Sequence, residues 1–311
     1  MPTVLITGGT GLIGKALTEL LLQKNYDVII LTRSSNINHQ SSDTRIRYAQ
    51  WDIEKQTIDA FAIRDAGYII HLAGAGVADK RWTTKRKKEI VESRTKSSEL
   101  IIKSLKENPN KVKAVISASA IGWYGPDITN DNIFKETDNA NNDFLGETSK
   151  LWEESIEPIA AMGKRLVKLR TGIVLTKNGG AMKEFMKPLR LGIAAILGNG
   201  KQIISWIHID DLCRMYIDAI ENENMNGVYN AVAPKPVNNK NLVLELAKQM
   251  RGKFCIPIYV PSFILKLLLG EMSIEVLKSA TVSADKIRKD GFQFLYPAIE
   301  SAVNEVVSRE L

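Results

Sequence analysis

Three features of the chain predict an α/β fold built on a doubly wound parallel sheet. Strand-length apolar runs alternate with helical spacing, three glycines spaced three apart separate the first run from the first helix, and polar residues gather where successive strands end. Parallel strands need long crossovers, so this alternation implies a sheet with helices on both faces.

The elements follow in order. Val4, Leu5 and Ile6 make the first strand, and residues 15–24 carry helical spacing through Ala16, Leu17, Leu20 and Leu21. Further strands are predicted at 27–31, 45–50, 67–72, 112–117 and 165–170. From about Gly172 the rhythm changes to turns such as Lys177-Asn178-Gly179-Gly180 and Gly198-Asn199-Gly200, which suit a smaller C-terminal cap lobe over a ligand. Residues 206–208 read as a short strand, Asp210 or Asp211 as the cap of a helix over 212–220, and 228–232 as a strand returning to the sheet. Residues 291–294 turn into a final helix. The predicted organisation is a nucleotide-binding domain over 1–171, rejoined by 206–232, and a cap lobe made of 172–205 and 233–311.

Within Thr7-Gly8-Gly9-Thr10-Gly11-Leu12-Ile13-Gly14 each spaced glycine has a task. Gly8 lets the chain reverse, Gly11 lets backbone approach a pyrophosphate, and Gly14 lets the helix pack closely on the strand. Thr10, Leu12 and Ile13 stand beside them at a helix start, where free N–H groups and the macrodipole favour an anion. This is a Rossmann-like dinucleotide turn. An acidic residue about twenty positions further on would hold a ribose 2′-hydroxyl. The chain has Thr32-Arg33-Ser34 there instead, a cation between two hydroxyls that suits the 2′-phosphate of NADP(H). A charge-assisted hydrogen bond of about 1.5–3 kcal/mol sets the expected preference for NADP over NAD at roughly tenfold to a hundredfold. Later strand ends extend the site. Asp52 closes the third strand where an adenine would lie; Leu72, Ala73 and Gly74 close the fourth, their small size letting the cofactor's middle pass. Residues 117–125 close the fifth at the depth of a nicotinamide, with Ser119 and Tyr124 among them.

Composition agrees with an enzyme-sized globular chain: 311 residues, 44% hydrophobic and 25% charged, with a formal charge of +7. With a strand beginning at residue 3 no signal peptide is expected, and the apolar run 263–269 is too short to span a bilayer and contains Lys266. A cytoplasmic protein with no membrane partner is expected. Cys213 and Cys255 form no spacing pattern, and the three histidines form no metal-ligand cluster. The basic run from Lys80 to Lys88 encloses Trp82 but starts a helix capped by Thr83 or Thr84, so a solvated face is expected in preference to substrate phosphates, and no nucleic-acid partner.

The chain resembles the extended short-chain dehydrogenase/reductases of the NAD-dependent epimerase/dehydratase type, through the glycine turn and the serine-rich strand ending in Tyr124-Gly125. It is more similar still to an atypical subfamily named for sugar-nucleotide epimerisation. That pattern appears in His71-Leu72-Ala73-Gly74, Ala78-Asp79-Lys80-Arg81-Trp82-Thr83, Glu92-Ser93-Arg94 and Ser117-Ala118-Ser119-Ala120-Ile121-Gly122. It continues in Gly179-Gly180-Ala181-Met182, Ser205-Trp206-Ile207-His208-Ile209-Asp210-Asp211, Tyr229-Asn230-Ala231-Val232-Ala233-Pro234 and Leu267-Leu268-Leu269-Gly270-Glu271, essentially the whole chain.

The resemblance implies nicotinamide hydride transfer, by an oxidoreductase or an epimerase, on a small or nucleotide-sugar substrate. It also implies Ser119 as the substrate-polarising hydroxyl and Arg94, with Glu89, as side chains facing the cofactor or substrate cleft from one helix. Hydride-transferring relatives use a Tyr-x-x-x-Lys pair. Lys150 could be its lysine, but position 146 is Gly146, which cannot pass a proton. Tyr124 is the replacement phenol nearest in sequence. The alternative is a cofactor-binding sensor or regulatory protein without efficient turnover.

Overall fold

Val4, Leu5 and Ile6 are completely buried in β1 (Thr3–Thr7), on both faces, as a strand inside a parallel sheet should be. The computed structural model describes residues 1–34, 43–129, 132–251 and 254–308. After β1 the chain forms α1 (Leu12–Gln23), β2 (Asp27–Thr32), β3 (Ile46–Asp52), β4 (Thr57–Ile58), α2 (Ala60–Asp65) and β5 (Tyr68–His71). There follow α3 (Thr84–Glu107), β6 (Ala114–Ala120), α4 (Phe144–Ile156), α5 (Pro158–Ala161), β7 (Arg165–Thr171) and β8 (Ile173–Leu175). Next come α6 (Gly180–Arg190), β9 (Ile193–Leu197), β10 (Ile203–Ile204), β11 (Trp206–His208), α7 (Ile209–Glu221) and β12 (Gly227–Ala231). The chain ends through β13 (Val237–Asn238), α8 (Asn239–Arg251), β14 (Ile256–Val260), α9 (Ser262–Leu269), α10 (Ser273–Leu277), α11 (Asp285–Lys289) and α12 (Ile299–Ser308).

Eight strands make one sheet in the order β12-β7-β6-β5-β1-β2-β3-β4, parallel except for β4, which runs against β3. The winding reverses between β1 and β5, so the crevice outside their carboxyl ends is where a ligand belongs. Helices cover both faces. Leu17 and Leu21 of α1 pack with Tyr216 and Ile220 of α7 on one side; Ile63 of α2 packs with Leu100 and Ile101 of α3 on the other. A third core joins α6, β9, α8 and α12 through Met186, Ile196, Leu246 and Val303.

Several local expectations are corrected. Residues 206–208 pair with β8 in a separate two-stranded sheet; it is α7, packed on α1, and β12, paired to β7, that rejoin the large sheet. The cap of α7 is His208, whose Nδ1 accepts from the Asp210 N–H at 3.2 Å. Asp211 is fully buried and instead accepts from the N–H groups of Leu295 and Tyr296 at 2.8 and 2.9 Å, fixing the turn before α12. The start of α3 is capped by Thr83, but its basic run is not wholly solvated: Arg81 donates to the Leu267 carbonyl at 3.2 Å and Lys87 pairs with Glu271. The two-residue β4, absent from the predicted elements, carries no periodicity to read. Among the described residues no helix is long and apolar enough to cross a membrane, and no group of three or more His, Cys, Asp or Glu could hold a metal ion.

Candidate functional site

The turn between β1 and α1 is shaped by close approach. Gly8 has φ +71°, and a Cβ on it would lie 3.1 Å from the Leu72 carbonyl carbon, where β5 ends. A Cβ on Gly14 would meet Gly9 Cα at 2.5 Å, so any side chain there would push α1 off the strand. Gly11 is the N-cap of α1; its own N–H donates to the Gly8 carbonyl, yet the helix has no side-chain cap and no acidic residue in its first turn. Thr10 and Gly11 are exposed, and Leu12 and Ile13 are half-buried. The helix start therefore presents donors and positive dipole with no side chain of its own first turn to answer them.

At the end of β2, Thr32 accepts from the Ser34 N–H at 3.2 Å, and the exposed Arg33 makes no hydrogen bond or ion pair with the described residues. Asp52 uses one carboxylate oxygen on its own turn, accepting from the N–H groups of Glu54 and Lys55 at 3.0 Å. Beyond β5, the N–H groups of Leu72 and Ala73 both reach Thr7 Oγ1 at 3.1 Å, which locks the two strand ends together. His71 is fully buried, and burial first, then the Arg94 charge, push its pKa down to about 3. Neutral, it accepts the Thr7 hydroxyl on Nδ1 at 2.8 Å and turns Nε2 toward Ser97 and Ser98. A groove of about 640 Å³ opens beside the turn, between α1 and α7. It touches Thr10, Gly11 and Leu12 but none of the residues ending β2, β5 or β6.

The two side chains on α3 expected to face the cleft both have partners within the protein. Glu89 is exposed and pairs with Arg86 at 2.8 Å, which draws its pKa down. Arg94 is buried beneath the loop after β5: its Nη1 donates to the carbonyls of Ala75 (3.0 Å) and Ile90 (2.8 Å), and its guanidinium lies 4.8 Å from the Trp152 ring centre. Gly74 sits directly on it, a Cβ there falling 3.1 Å from Arg94 Cζ.

The end of β6 is closed by its own partners. Ser119 is buried and donates its hydroxyl to Glu153 at 2.7 Å, so the proton that would polarise a substrate is already committed. Glu153, on the inner face of α4, is gripped by Arg170 through Nε (2.7 Å) and Nη2 (3.1 Å), a paired charge inside the protein. Arg170 also donates to the Tyr124 hydroxyl at 3.0 Å and lies over the Trp123 ring. Tyr124 is fully buried, donates to Asn230 at 2.8 Å and stacks on Phe134. Burial pushes its pKa up to about 12, far from the range of a proton shuttle. Lys150 lies on the outer face of α4, mostly exposed, 3.9 Å from Glu154. At Gly146, the place of the absent phenol, the backbone of Asn141 fills the space: a Cβ would lie 2.8 Å from the Asn141 carbonyl carbon. Ser119, Tyr124 and Lys150 are thus not brought together as a hydride-transfer set.

Glu153, Arg170 and Asn230 were missed from the sequence. The inward spacing of Gly146, Ser149, Glu153 and Ile156 along α4 was the available signal for Glu153; nothing local marked Arg170, and Asn230 stood only as part of the block 229–234.

Comparisons with known proteins bear on this arrangement. The family model "NAD dependent epimerase/dehydratase family" matches residues 4–231, and a domain of unknown function, DUF1731, matches 260–306. An epimerase family protein of Staphylococcus saprophyticus, SSP1921, is 33% identical over 309 residues, covering 99% of this chain and all of that one. The human epimerase family protein SDR39U1, solved with NADPH, superposes with a TM-score of 0.85 at 26% identity, over 98% of this chain and 99% of that one. A nucleoside-diphosphate sugar epimerase from Corynebacterium glutamicum gives 0.77 at 29% identity, over 99% of this chain and 59% of that longer one. With the family model spanning the whole large sheet and the glycine turn at its start, the chain belongs to the NAD dependent epimerase/dehydratase family.

Proposed function

We propose that the chain binds NADP(H) along the carboxyl edge of the sheet, beneath a cap lobe formed by 172–205 and 233–311. There it exchanges hydride with a small or nucleotide-sugar substrate. One observation carries the reading: the uncapped start of α1 faces the same edge as Arg33, a cation without a partner among the described residues. The backbone of Gly8, Thr10, Gly11, Leu12 and Ile13 would hold the diphosphate. Thr32, Arg33 and Ser34 would hold the 2′-phosphate, Asp52 would mark the adenine end, and Leu72, Ala73 and Gly74 would form the wall. The bound nicotinamide supplies the hydride chemistry. The NADPH in the human relative's crystal and the nucleoside-diphosphate sugar in the Corynebacterium protein's name support the cofactor and substrate classes.

A second reading, a sensor in which cofactor occupancy positions the cap, is favoured by the filled space at Gly146 and the committed proton of Ser119. Titrating the protein with NADPH, then adding carbonyl compounds and nucleotide sugars, separates the two. Oxidation of bound NADPH by one ligand class supports hydride transfer. Tight binding without oxidation across the panel supports the sensor, and failure to bind overturns both.

A further inference from the structure

Arg94 is only 8% exposed, yet no carboxylate lies within ion-pair distance of it among the described residues. Asp79 and Glu89 pair with Arg86, and Glu153, the residue after Trp152, is held by Arg170. Arg86 adds a second buried cation to the same helix. Carbonyl dipoles from Ala75 and Ile90 and the face of Trp152 stabilise the guanidinium, but none of these cancels its charge. Buried charges are ordinarily paired, because the interior screens them poorly. Here the field stays uncancelled, directly under the loop that follows β5 at the point where the sheet's winding reverses.

We infer that Arg94 makes the site selective for the reduced cofactor: NADPH, with a neutral ring, binds more tightly than NADP⁺, whose ring carries a positive charge. This rests on the cofactor reading above. The two forms share every phosphate and hydroxyl, so phosphate contacts hold both alike and the fixed cation acts on their difference. On that reading the nicotinamide lies at the end of β6, the strand paired to β5, beside the loop that covers Arg94; one unit charge acting on another across about 10 Å at an effective dielectric near 20 changes a binding constant roughly tenfold. Neutralising Arg94 removes that discrimination without touching the 2′-phosphate contacts.

Dissociation constants for NADPH and NADP⁺ are measured on the full chain, by nicotinamide fluorescence and by calorimetry. The native protein should hold NADPH about tenfold more tightly; Arg94→Lys should keep most of that ratio, and Arg94→Gln should bring it close to one. If Arg94→Gln does not fold, Ser93→Asp, which sets a carboxylate beside the same loop, should narrow the ratio in its place. Equal binding of both forms by the native protein, or a ratio unmoved by Arg94→Gln or Ser93→Asp, overturns the inference while leaving the cofactor reading intact. Binding of neither form overturns both.

Discussion

Where β1 meets α1, the helix start has no side-chain cap and the neighbouring Arg33 has no partner among the described residues; where β6 ends, Ser119, Tyr124, Glu153 and Arg170 satisfy one another inside the protein. The two regions lie on the same edge of one sheet. Polar groups left open at a strand end wait for a ligand, whereas polar groups closed into a network hold the scaffold. The difference separates an edge left open at the glycine turn from the place of a tyrosine–lysine pair, which is taken by packing.

The largest effect should come from breaking the closed region. Glu153→Ala leaves Arg170 as an unpaired buried charge and should destabilise the fold by about 3–5 kcal/mol in urea unfolding. NADPH affinity in the surviving fold should change less than about threefold. Affinity that collapsed with stability would show the two regions to be one. On the open side, Arg33→Asp should weaken NADPH binding by roughly tenfold to a hundredfold without lowering Tm, and unchanged affinity would remove Arg33 from the 2′-phosphate.

His71 ends β5, the strand between the two regions, and is bonded to Thr7 at the turn and to Ser97 and Ser98 in α3. Its folded pKa of about 3 lies below the ordinary 6.5, so between those values the unfolded chain takes a proton that the folded one refuses. The stability contribution is complete above about pH 6.5 and falls with pH, by roughly 2 kcal/mol from pH 7 to pH 5. His71→Gln should flatten that part of the curve; an equal slope in the variant would assign the loss to other groups. The smallest effect is expected at Lys150: Lys150→Ala should shift stability by no more than about 0.5 kcal/mol and leave NADPH affinity alone. A tenfold loss of affinity would return Lys150 to the site.

The central strands were legible because burial on both faces writes them as unbroken apolar runs, as in Val28-Ile29-Ile30-Leu31. The glycine turn was legible because its demands are local: a left-handed backbone at Gly8 and close approach at Gly14. The Glu153–Arg170–Tyr124–Asn230 network was not, since its members come from α4, β7, the loop after β6 and β12, and only the fold brings them together. The same reason limits what is legible of Arg94: the resemblance points it toward the cleft, but the loop over Gly74, which covers its head, is set by the fold. Asp210 and Asp211 looked like caps by residue type, and His208 took that role because the strand just before α7 presents its ring nitrogen to the Asp210 N–H.

The contact between Asn141 and Gly146 also limits how the protein could change. A direct route back to a tyrosine at 146 is sterically closed, since even a methyl group there would collide with backbone rather than with a side chain that can swing aside. Restoring the phenol would first require residues near 141 to be rerouted, and that segment is itself anchored, with the Asn141 N–H on the Trp123 carbonyl and its amide on Asp143. An engineer seeking a fast hydride-transfer catalyst from this scaffold should therefore begin by redesigning the loop, and a selection that permits only point substitutions should find its gains elsewhere in the cleft.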